Sequence, residues 1–255
     1  MEISEIVGSP YFIAAIFFVI AFIYSSVGLG GGSSYTAMMA IMGFSVLAIP
    51  MISLSLNLLV TTIGSVNFIR NKHAQWRLIL PFLISSLPMA YLGGSLQVSK
   101  EFFYWVLLIS LCFVAARIYF WRETSLGFKL GAQGKLVLSL ISGSLLGLIA
   151  GIAGIGGGIY LVPLIILLGL GTEKQAAACG AIFVWLNSSV GLLSRLQYNP
   201  MEVGVFIYLV VAVLLGGLLG SYLGAYKLSP KKMEKILGVI IIVAIFALVR
   251  KLFII

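Results

Sequence analysis

The sequence predicts an all-α polytopic membrane protein built from two homologous, inverted repeats, each of about five segments that include a short half-helix after a glycine-rich break. Three observations carry that expectation. Hydrophobic residues make up 61% of the 255 residues and charged residues 9%, against roughly 25% charged in soluble domains. Most apolar runs reach the ~20 residues that a helix needs to cross the hydrocarbon, and no stretch of soluble composition is long enough to fold by itself. The glycine-rich break occurs twice, as Gly28-Leu29-Gly30-Gly31-Gly32-Ser33-Ser34 and as Gly154-Ile155-Gly156-Gly157-Gly158-Ile159-Tyr160, with Gly30 and Gly156 standing 126 positions apart.

The first repeat, 1–122, opens with a short N-terminus carrying Glu2 and Glu5, followed by an apolar run over about 10–27. Pro10 suits a first helical turn, where its missing N–H is not needed. After the break, the run from 33 to 42 is too brief to cross the membrane at 1.5 Å per residue, so it is expected as a half-helix. Spanning runs follow at about 46–69, 78–97 and 102–121, and a polar connector, 123–135, leads to the second repeat, 136–255. There the order recurs, with runs at 136–153, 159–170, 175–194, 203–226 and 235–253. With four residues inserted in the second half Asn57 aligns with Asn187, and at the 126-residue offset Gly94-Ser95 aligns with Gly220-Ser221. Such self-similarity reads as a duplication.

The basic residues decide its handedness. An inverted second copy places 12 of the 16 Lys and Arg on one face and 4 on the other, whereas a parallel copy divides them 10 to 6. Cytoplasmic loops carry the excess of Lys and Arg, so inversion is expected, with the N-terminus outside and the connector in the cytoplasm of a cell inner membrane. The count fits both five crossings per repeat and three crossings plus a re-entrant hairpin at the glycines. The same placement explains the net charge of +9 by lipid headgroups, and no nucleic-acid partner is expected. Cys112 and Cys179 lie in apolar runs and read as small buried hydrophobes. Trp76, Trp105 and Trp121 fall at interfaces, Trp185 is expected in the core, and Gly216, Gly220 and Gly224 have the spacing of a close helix contact.

Three glycines in a row end a helix, because each costs roughly 1 kcal/mol against alanine. Within a membrane the freed backbone groups are tolerated only against protein or a water-filled cavity. A helix restarting there aims its free N–H groups and about half a positive charge at that cavity, an arrangement that binds anions. Close helix packing is the other use of such glycines; the paired occurrence favours a site between the repeats. Its expected members are Gly30, Gly31, Gly32, Ser33, Ser34, Asn57, Gly156, Gly157, Gly158, Ile159, Asn187 and Ser188. The two asparagines sit mid-run, where their amides either donate to an oxyanion or make an interhelical hydrogen bond. Arg70 and Arg195 end their helices, either snorkelling to the interface or recruiting anions. No carboxylate lies within an apolar run, His73 is in a loop, and no catalytic or metal-ligand spacing exists, so neither an enzyme nor a cofactor is expected.

The motif GLGGGSS after the first run, and AGIAGIGGGIYLVPLI opening the second half, resemble the sulfite exporter TauE/SafE family of bacterial membrane proteins over essentially the whole length. The resemblance implies transport of sulfur-containing anions, such as sulfite or small organosulfonates, across the inner membrane. It also implies two four-helix halves with seven to nine spans. For residues it extends to Gly30–Ser33 and Gly156–Gly158; Asn57 and Asn187 follow from position alone. The expected function is therefore a secondary transporter or facilitator for a small oxyanion, with that anion and membrane lipid as partners and a homodimer as the assembly. The alternatives are a non-transporting subunit that anchors or regulates a partner, and an anion channel.

Overall fold

The structure is a computed structural model that describes residues 9–26, 29–70, 72–120, 131–197, 206–226 and 230–253. Glu2, Glu5, Gly28, Trp121 and most of the expected connector lie outside the described residues, and so do the side-chain surroundings of Asn67 and Gly224. The described residues form helices α1 (Pro10–Ser26), α2 (Gly32–Ile41), α3 (Ala48–Arg70), α4 (Trp76–Ser95), α5 (Lys100–Phe120), α6 (Ala132–Ala153), α7 (Gly158–Leu167), α8 (Glu173–Leu196), α9 (Phe206–Tyr226) and α10 (Pro230–Phe253), with no strand among them. Among the described residues, six helices are long and apolar enough to span a membrane: α3, α4, α5, α6, α8 and the Lys235–Phe253 part of α10. Pro10 opens α1 as expected, and α8 starts with a capping box in which Thr172 and Gln175 satisfy each other's backbone N–H groups.

Side-chain contacts fix which helix ends share a face. Lys251 Nζ, near the end of α10, donates to Ala40 O near the end of α2 at 2.6 Å. Lys251 and Lys100 both lie over the Tyr104 ring, at 5.6 and 5.9 Å, at the start of α5. Tyr11 at the start of α1 meets Tyr208 at the start of α9, ring centroids 5.6 Å apart, and α9 followed by α10 returns the chain to that level. The start of α1 and the end of α2 therefore lie on one face, together with Lys100 and Lys251. At the opposite face Gly171, past the end of α7, approaches Leu78 at the start of α4. Helix α6 begins there too, since it runs parallel to α4 with Gly143 against Phe82 and Gly151 against Gly93 and Gly94. Both α1–α2 and α6–α7 thus form hairpins: a long limb runs inward, the chain folds back at the glycines, and a ten-residue helix returns to the starting face. The two hairpins enter from opposite faces. Of the alternatives left by the charge count, these helix directions agree with the one that has a hairpin at the glycines.

Small residues set the packing. Gly147 of α6 lies against Ser86 of α4, while Gly216 and Gly220 of α9 lie against the carbonyls of Phe18 and Phe22 in α1, the close backbone approach that substitutes for hydrophobic drive between helices in lipid. At the centre α3 and α8 cross antiparallel, with Leu54 beside Gly191 and Gly64 beside Ala181. Trp185 corrects the sequence reading: it is 37% exposed, and its indole N–H donates to Thr62 Oγ1 at 2.9 Å. A donor on the ring edge ties it to α3 and leaves the ring at the periphery of the bundle.

With both native cysteines replaced by alanine, single cysteines at Ser45 and Ser99 should react with an impermeant maleimide from one side of the membrane. Cysteines at Gly131 and Lys174 should react only from the other, as measured in vesicles of opposite orientation.

Candidate substrate site at the paired helix breaks

Where α6 stops, a run of backbone carbonyls needs new donors, because in hydrocarbon each unsatisfied group costs several kcal/mol. The sequence supplies them from three other helices. Gly154, in the left-handed region at φ 72, returns its N–H to Ala150 O at 2.9 Å. Arg195 Nη2 of α8 donates to Gly151 O and Ile152 O at 2.7 and 2.8 Å. The Thr36 hydroxyl of α2 is shared between Ala153 O at 3.3 Å and Ser53 Oγ at 3.0 Å. The Ser53 hydroxyl of α3 lies 2.7 Å from Gly154 O and 3.2 Å from Gly32 O. Asn57 Nδ2 donates to Ile155 O at 3.4 Å. Arg195 is only 5% exposed, so it neither snorkels nor waits at a vestibule: it caps α6, and its cation sits at the negative end of that helix.

The two breaks use glycine for different reasons. At Gly156 and Gly157, φ values of 78° and 80° demand a residue without a Cβ. Gly31 has an ordinary φ of −80°, and the first break needs glycine for space. A Cβ on Gly30 would stand 2.9 Å from Asn57 Oδ1, and one on Gly32 would stand 2.6 Å from Ile155 O. Helices α2 and α7 both start here, and the residue before each makes no side-chain cap. Beyond the break, the Tyr24 hydroxyl bonds Ser33 Oγ and Ser34 Oγ at 2.5 and 2.8 Å, and Tyr35 stacks on Phe17 at 5.2 Å.

Of the residues expected from sequence, Gly30, Gly32, Gly156, Asn57 and Ser188 converge. A Cβ on Gly156 would lie 3.0 Å from Asn57 Nδ2 and 3.2 Å from Ser188 Oγ. Gly31 faces the Tyr35 ring, Gly157 faces Phe183, Gly158 lies beneath Val184, and Ile159 packs into the core. Ser33 and Ser34 are engaged by Tyr24. Asn187 is turned away: its Nδ2 donates to Ser86 Oγ of α4 at 3.1 Å and to Phe183 O at 2.9 Å. The α8 residue that meets Gly30, Gly156 and Gly158 is Val184, which corrects the pairing of Asn57 with Asn187. Thr61, also against Gly30, completes the wall, its hydroxyl donating to Asn57 O at 2.7 Å. Sequence reasoning missed Val184, whose type carries no signal, as well as the capping roles of Ser53, Thr36 and Arg195.

Two atoms stand out chemically. Asn57 Oδ1 and Ser188 Oγ are buried without a hydrogen-bond partner, and both residues are fully enclosed. Asn187 Oδ1, turned away from the breaks, is in the same condition, so it is the meeting of these two residues beside Gly156 that makes the breaks a candidate site.

Spanning helices, two hairpins and converging half-helices define a multi-pass membrane protein of the discontinuous-helix class. The chain belongs to the sulfite exporter TauE/SafE family, whose model matches residues 13–248, and that family and its relatives make it a membrane transporter. It is 34% identical over 234 residues to the probable membrane transporter protein y4hK of Sinorhizobium fredii, covering 91% of this chain and 95% of that protein. It is 26% identical over 246 residues to the probable membrane transporter protein MJ0441 of Methanocaldococcus jannaschii, covering 88% and 89%. A shorter match, 35% identical over 77 residues and 15% of that protein, is to sulfite exporter TauE/SafE family protein 1 of Arabidopsis thaliana. No solved structure matches.

Replacing Arg195 by methionine strips the donor from two buried carbonyls, each worth about 1–3 kcal/mol. Arg195→Met should lower thermal stability in detergent markedly more than Arg70→Met, whose side chain is exposed.

Proposed function

We propose that the protein is a secondary transporter or facilitator that moves a small sulfur-containing oxyanion, sulfite or an organosulfonate, across the cell inner membrane. The observation that carries this reading is the convergence of the α2 and α7 N-termini on Asn57 and Ser188, at the breaks where Gly30 and Gly156 approach them. Two positive helix ends and uncapped N–H groups favour a negative ligand, and the enclosed site strips the anion of water while offering hydroxyl and amide groups in return. The sulfur chemistry is taken from the family description.

We infer further that the halves, 1–122 and 136–255, are inverted copies that rock against each other about the α3–α8 crossing to give alternating access. Helix lengths of 17, 10, 23, 20 and 21 residues in α1–α5 recur as 22, 10, 24, 21 and 24 in α6–α10. Corresponding contacts support an offset of 127: Asn57 and Val184 flank the two breaks, Thr61 and Ser188 follow one turn later, and Gly93 and Gly220 each approach a carbonyl of a partner hairpin's long limb. The face carrying Arg70, Arg77, Lys135 and Lys174 is the cytoplasmic one.

Gly157 has φ 80° and only 2.8 Å between a would-be Cβ and Phe183 Cε1. Gly157→Leu should insert in the membrane yet abolish sulfite and sulfonate flux into proteoliposomes. Wild-type flux in an inserted Gly157→Leu protein would remove the breaks as the transport site.

A further inference from the structure

We propose that the site prefers an anion carrying its own hydrogen-bond donor, a hydrogen-oxyanion or a hydroxysulfonate, over an aprotic anion of the same charge. This deepens the anion-transport reading above and rests on it.

The argument turns on Asn57, which has no solvent exposure. Its Nδ2 is committed to Ile155 O, and turning the amide over would set two acceptor oxygens against each other. That orientation leaves Oδ1, 2.9 Å from where a Gly30 Cβ would stand, as a buried acceptor with no donor. Thr61 cannot supply one, since its hydroxyl already donates to Asn57 O. Ser188 Oγ, at the neighbouring Gly156, is another buried atom without a partner, and the two residues stand at the same break.

The site therefore offers two kinds of group. The starts of α2 and α7, ten residues each, offer backbone N–H donors, while Asn57 Oδ1 asks for a donor. An aprotic anion satisfies only the helix ends and leaves Oδ1 bare, a penalty of the size of a lost hydrogen bond. A cation satisfies Oδ1 but faces two positive helix ends. An anion bearing an O–H satisfies both. Among the described acid side chains, Glu101 and Glu173 are exposed in the first turns of α5 and α8, and neither stands at the site to hold a proton. The proton enters on the ligand.

Isethionate and 1-propanesulfonate have the same charge and the same number of heavy atoms and differ in a hydroxyl against a methyl. Their Kd values for the detergent-solubilised full chain, measured by calorimetry in sodium-free buffer, should differ by about tenfold or more in favour of isethionate, as expected where a buried group is left unpaired. In Asn57→Leu the ratio should fall to near one; should that variant not fold, Asn57→Ala serves in its place. Equal wild-type affinities would overturn the donor preference while leaving the anion site intact. A preference that survives loss of Asn57 would overturn the assignment to its Oδ1. Binding that appears only with added sodium would show that Oδ1 holds a cation, and binding of neither sulfonate would overturn the anion reading itself.

Discussion

Everything at the centre of this molecule depends on one constraint: a helix that stops inside a bilayer exposes carbonyls that lipid cannot satisfy. At the end of α6 the five carbonyls from Gly151 to Ile155 find donors in Arg195, Thr36, Ser53 and Asn57. These donors come from α8, α2 and α3, so the break is held by helices outside its own hairpin. Three of the four belong to the first half of the chain. Breaking the helix therefore ties the halves together at the depth where their surfaces meet.

That arrangement links stability to function. The backbone that Ser53 steadies is the start of α2, at Gly32 O, and the end of α6, at Gly154 O. A single hydroxyl thus ties the start of one half-helix to the end of the other hairpin's long limb. Above it, one face of α3 carries Asn57 and Thr61, one turn apart, and α8 answers with Val184 and Ser188, also one turn apart. Glycine on the facing loops lets these side chains approach the backbone to within contact distance.

Much of this was legible in the sequence, and what was not has physical causes. The helix ends fall within about five residues of the ends of the apolar runs, because a membrane helix needs a fixed length of apolar sequence. The breaks were legible because consecutive glycines have no other economical place in such a helix. Whether the short helices continue across or turn back was not, since composition is the same either way; only contacts such as Lys251 with Ala40 distinguish them. Asn187 and Ser188 were both expected at the break, Asn187 for its mid-run position matching Asn57. On a helix adjacent residues point about 100° apart, so Asn187 and Ser188 cannot both face the break, and it is Ser188 that does. Arg195 was misplaced because an arginine at a helix end reads the same whether it reaches for water or for the carbonyls of another helix.

The pairing of Asn57 with Val184 gives the site a direction. Were both positions asparagine, two amides would face the breaks, and a ligand would meet equivalent groups from either half. With valine on α8, one wall is polar and its counterpart apolar, 3.3 Å from where a Gly30 Cβ would stand. A methyl-lined wall offers nothing to a charged oxygen but tolerates an uncharged face of the ligand. If the anion proposal holds, donors at the helix ends, an acceptor on one wall and valine on the other would select by the distribution of polar atoms around the anion as well as by charge. Under that proposal the helix termini answer to charge alone, and the unpartnered oxygen of Asn57, enclosed beside them, is the acceptor that a donor-bearing ligand would meet.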